Sequence, residues 1–86
     1  MPELSRFFGI IIAMYYNDHA PPHFHAKYGD DEATIRIDTG ELLEGSLSSR
    51  ATRLIEEWRI LHQDELDEDW SRARAHEPLN KIAPLE

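Results

Sequence analysis

The chain has 86 residues, no cysteine, and nine Lys and Arg against seventeen Asp and Glu, for a formal net charge of −8. This composition excludes disulfide staples, thiolate metal clusters and a cysteine nucleophile, and the negative balance argues against nonspecific nucleic-acid binding, which draws on a basic patch. A chain this short buries only a modest core, so one domain over residues 1–86 is expected, with a partner or self-association as a natural aid to stability.

The amino-terminal residues read as neither a secretory signal nor an anchor, and no apolar stretch approaches the ~20 residues of a membrane span. A cytoplasmic protein without membrane contact is the expectation. Residues 7–16, FFGIIIAMYY, form an apolar run rich in β-branched and aromatic side chains and bounded by Asn17 and Asp18, which predicts a strand. Because the run is apolar on both faces, one of two rows, Ile10/Ile12/Met14 or Ile11/Ala13/Tyr15, is expected on the side of the sheet that helices do not cover.

Residues 23–28, HFHAKY, alternate: Phe24, Ala26 and Tyr28 share one face, and His23, His25 and Lys27 the other. ATIRID at 33–38 alternates likewise, with Ala33, Ile35 and Ile37 opposite Thr34, Arg36 and Asp38. A hairpin with Asp30 and Asp31 at its tip would pair Tyr28 with Ala33, Ala26 with Ile35 and Phe24 with Ile37, gathering the apolar side chains on one side. The same register sets His25 opposite Arg36 and His23 opposite Asp38. Thr39 and Gly40 then read as a turn and ELLEG at 41–45 as a short edge strand.

The remainder reads as helical. Ser48 or Ser49 can cap a helix whose Ala51, Leu54, Ile55, Trp58 and Leu61 form one apolar stripe. A second helix begins near Gln63 or Asp64, carries Leu66, Trp70 and Ala73 on one side, and should stop before Pro78. The acidic run DELDED at 64–69 reads as a solvated helix start. Arg50, Arg53 and Arg59 on the first helix leave a local basic surface open. The predicted fold is α+β: an antiparallel three- to four-stranded sheet in β-β-β-β-α-α order, with both C-terminal helices packed on one face.

Three of the five histidines stand within NDHAPPHFHAKYG at 17–29. His19, His23 and His25 are candidate metal ligands, zinc being the ion that imidazoles with one open position suit, with Asp18 or Asp38 in support. A metal-free catalytic arrangement would use His23 or His25 as acid or base, Asp38 as its orienting carboxylate and Arg36 to stabilise a developing anion, as in RNA cleavage. A binding reading uses Tyr15, Asp18, His19, His23, His25, Lys27 and Arg36 as contacts on an open sheet face, with no cofactor needed. His62 and His76 read as surface or capping groups.

FFGIIIAMYYND, DHAPPHFHAKYG, LLEGSL, EEWRILHQDEL, DEDW and KIAPL together resemble the small bacterial proteins catalogued as domain of unknown function 4160, along the full length of the chain. The resemblance implies a small bacterial cytoplasmic protein, often encoded beside another small protein and suspected of belonging to toxin–antitoxin-like pairs. It brings no settled chemistry. The reading therefore ranks a partner-binding module first, with a small protein or a second copy as its partner. A histidine-dependent, metal-assisted or metal-free phosphodiester hydrolase comes second.

Overall fold

A computed structural model describes residues 2–86. Five strands, β1 (Glu3–Phe7), β2 (Ile10–Ala13), β3 (His23–Tyr28), β4 (Asp31–Arg36) and β5 (Leu42–Gly45), precede two helices, α1 (Ser49–Leu61) and α2 (Gln63–Arg74). The strands form one antiparallel meander in which each pairs with its neighbours in the chain. The expected α+β class holds, with five strands where three or four were expected.

The additional strand comes from the amino terminus. Rather than one strand over 7–16, the chain turns at Phe8 and Gly9, whose φ values of 49° and 82° are both positive, as a two-residue I′ hairpin requires. Phe7 then pairs with Ile10 and Ser5 with Ile12. Glycine inside an apolar run is the signal for that turn. In β2, Ile10 and Ile12, continued by Met14, are fully buried with the helix layer, so the row Ile11/Ala13/Tyr15 lies on the opposite face.

The β3–β4 hairpin differs from expectation by two residues. Gly29 and Asp30 alone make the turn, so Tyr28 pairs with Asp31, Ala26 with Ala33, His25 with Thr34, Phe24 with Ile35 and His23 with Arg36. A slip of two preserves the face of every side chain; Phe24, Ala26, Ala33, Ile35 and Ile37 are all buried together as expected. It does change cross-strand partners, and neither His25–Arg36 nor His23–Asp38 forms. At the end of β5, Gly45 has φ +80°, and a Cβ there would collide with the Glu32 carbonyl oxygen, so the close approach of β5 to β4 requires glycine at this position.

Ser48 caps α1, its Oγ accepting from Ala51 N at 3.1 Å. Ala51, Ile55 and Trp58 are buried and Leu54 packs against the core, whereas Leu61 is exposed because the helix ends there. Leu66, Trp70 and Ala73 of α2 are buried as expected. α2 closes on a Schellman pair, His76 N to Ala73 O and Glu77 N to Arg72 O, with His76 at φ 58° where glycine is usual. The tail returns to the helix side of the sheet: Ile82 N donates to Leu4 O, Trp58 Nε1 donates to Ala83 O at 2.8 Å, and Ile82 and Leu85 join the core. Arg59 is also buried. It donates to Ile37 O at 2.8 Å and pairs with Glu56, tying the β4–β5 loop to α1; it is therefore withdrawn from any basic surface. Arg50 donates to the Tyr28 hydroxyl.

Candidate functional site

His23 and His25 project side by side from β3 because alternate residues of a strand share a face. The loop between β2 and β3 brings Asp18 back over them. Its Oδ2 lies 3.1 Å from His23 Nε2 and 2.8 Å from His25 Nε2, so one carboxylate oxygen meets both imidazoles. Behind the rings, His23 Nδ1 lies 2.7 Å from Pro21 O and His25 Nδ1 lies 3.4 Å from Thr34 Oγ1.

The His23 ring is buried against Trp70 of α2, with centroids 5.1 Å apart. The His25 ring is half-buried and meets Tyr15 edge-on at 4.5 Å. Burial raises the Tyr15 phenol above its ordinary range, and the charges of Glu32 and Asp18 add to the effect.

The residues singled out in the sequence divide into those drawn together and those set apart. Asp18, His23 and His25 converge, with Tyr15 beside them. His19 is exposed in the same loop and lies outside the trio. Lys27 is exposed two residues along β3. Arg36, although opposite His23, is held by Asp38 through contacts of 2.6 and 3.3 Å, and that hydrogen bond lowers the Asp38 carboxyl below its usual range. Asp38 is therefore the partner of Arg36, and Asp18 takes the orienting place beside His23. Sequence spacing does not reveal Asp18 as the hub, because its position depends on the path of the loop through Pro21 and Pro22. His62 stands between the two helices; its ring makes no capping hydrogen bond and instead contacts the Glu65 carboxylate at 2.6 Å. Thr34 is a site residue that sequence reasoning passed over, and only the two-residue register shift brings it opposite His25.

Hollows adjoin the trio on more than one side. One of about 380 Å³ is bordered by His19, Pro21, Thr34, Leu43 and Glu44 beside the histidines. A smaller one of about 170 Å³ lies between Ile11, Tyr15, His25, Lys27 and Glu32. The largest groove, about 720 Å³, is elsewhere, between α1 and the β4–β5 edge, with Leu42 and Ile60 exposed along it.

Fold and site together define a small α+β domain with a helix layer on one sheet face and a carboxylate-bridged histidine pair on β3, in which His23 reaches Trp70 of α2 and His25 lies beside Tyr15. The chain matches, over residues 9–71, the family model described as Domain of unknown function (DUF4160), and it belongs to that family. No curated protein and no solved structure matches it. Among the described residues no helix is long and apolar enough to cross a membrane.

Proposed function

We propose that this chain is a cytoplasmic partner-binding module, one half of a two-protein pair of the toxin–antitoxin-like kind, and that it engages a small protein through the sheet face bearing DHAPPHFH. The observation that supports the reading is the path of the tail. Ile82 and Leu85 pack on the helix side, so the described C-terminal tail runs away from Ile11 and Tyr15, which lie partly exposed on the face that carries His25 and Lys27. Apolar side chains rimmed by ionisable groups are what a protein interface presents.

The test is co-expression with the product of the adjacent gene. Co-purification at fixed stoichiometry is expected, with Ile11→Glu and Lys27→Glu each weakening it at least about tenfold by placing charge in the contact. Ile60→Glu, on the opposite side, should change nothing. Equal binding by all three variants would refute the assignment of the face.

The hydrolase reading comes second, favoured by the contact of Asp18 with both imidazoles. Against it, the cation best placed to stabilise an anion, Arg36, is occupied by Asp38. Incubating labelled RNA with wild type and with His25→Gln decides this reading separately.

A further inference from the structure

We infer that Asp18, His23 and His25 are the three protein ligands of one divalent transition-metal ion, with zinc the closest match to the donor set. Their donor atoms lie within 4.8 Å of one another. Arms of about 2.0–2.1 Å in a tetrahedron set donors roughly 3.3 Å apart, and the contacts from Asp18 Oδ2 to the two Nε2 atoms, 3.1 and 2.8 Å, already lie near that edge. Small side-chain rotations suffice to close the third.

The hydrogen bonding behind the rings supplies the stronger reason. A carbonyl oxygen only accepts, so the 2.7 Å contact with Pro21 O fixes the proton of His23 on Nδ1. With Nδ1 turned to the carbonyl, Nε2 is the nitrogen left facing Asp18 Oδ2, at 3.1 Å, and a metal ion seated between the two atoms would be held by both. His25 turns Nε2 toward the same oxygen at 2.8 Å, while its Nδ1 lies 3.4 Å from Thr34 Oγ1, a hydroxyl that can donate or accept. Metal-binding histidines characteristically donate their second nitrogen to a backbone carbonyl or other acceptor, which sets the tautomer and aims the ring. The His23 ring is so placed, and a single carboxylate oxygen is the focus of both rings. Two histidines and a carboxylate leave a fourth coordination position for water or a ligand. The 380 Å³ hollow beside the trio gives that position access to solvent. His19, exposed in the same loop, is not a ligand. This site requires no protein partner, and its test is independent of co-purification.

The full-length protein, stripped with chelator and dialysed, is titrated with Co²⁺ and followed by visible absorption, then with Zn²⁺ in competition. One equivalent of Co²⁺ should give intense d–d bands of a low-coordinate site, and one equivalent of zinc should abolish them. Asp18→Asn and His25→Gln should each weaken binding by more than the ~10–100-fold that loss of an outer partner costs, and Thr34→Val should weaken it about tenfold. His19→Ala should bind like wild type. Histidine ¹⁵N spectra of the wild type provide a measurement that needs no variant: zinc should shift the Nε2 signals of His23 and His25 while Nδ1 stays protonated. Spectra showing His23 protonated on both nitrogens and unmoved by zinc would overturn the inference, as would Co²⁺ binding that survives both ligand substitutions or is lost in His19→Ala.

Discussion

Burial pushes the Asp69 carboxyl above its ordinary range, against the opposing pull of the Asn80 N–H and Arg72. The residue is 1 % exposed; Oδ1 accepts from Asn80 N at 2.9 Å, while Oδ2 has no hydrogen-bond partner among the described residues. A carboxyl whose pKa is raised on folding contributes stability that is fully present below the unfolded value and is lost as pH rises through the folded one. Stability measured by denaturant melts, taken relative to Asp69→Asn, should therefore fall as pH is raised from about 4 to 7, and a constant difference would exclude a buried titrating carboxyl. Asp69→Ala additionally orphans the Asn80 N–H and should cost on the order of 1 kcal/mol more than the Asn variant. Asp69 belongs to DELDED, which reads as a solvated helix start. That description fits Asp64 and Glu65 in the first turn of α2, but the helical period carries Asp69 inward beside Trp70, where the returning tail closes over it. Composition alone does not mark which member of an acidic run faces the core.

Among the elements, hairpins account for most of the difference between expectation and structure. Most of the apolar faces, both helices and the Ser48 cap of α1 are legible because side-chain period and capping chemistry are local properties. Register is not, since a slip of two residues leaves the pattern unchanged and only the turn decides it. The β1–β2 turn offers a direct measurement. Phe8 occupies a left-handed conformation at φ 49° with its side chain half-exposed, a backbone region that costs most non-glycine residues roughly 1–2 kcal/mol and asparagine less. Phe8→Asn should raise stability by about 0.5–1 kcal/mol, read from the midpoint of denaturation. A loss of similar size would show that the edge-on contact of Phe8 with Phe7 at 6.5 Å outweighs the backbone term.

For the whole molecule, the tail is the element that joins beginning to end. Ile82 is 4 % exposed in the same cluster as Leu4, Phe7 and Trp58, so Ile82→Ala should cost about 2–5 kcal/mol, whereas a loss below 1 kcal/mol would mean the tail merely lies on the surface. The apolar residues of NKIAPLE predict that the tail is pinned. They do not predict to what, because a contact between residues 82 and 4 lies beyond any local pattern.

The bond from Ile82 N to Leu4 O also shapes what this sheet can do in a crowd of its own copies. Strands at the margin of a sheet invite further strands, and a meander has two margins, here β1 and β5. The returning tail makes a backbone hydrogen bond to the first, while among the described residues no segment pairs with the outer side of the second. Strand addition is therefore partly obstructed at β1 and open at β5. Two copies meeting β5 against β5 would form a closed two-fold pair whose remaining margins are the two tail-flanked β1 strands. By laying its tail against one end of its own sheet, the chain makes strand addition less favourable at β1 than at β5.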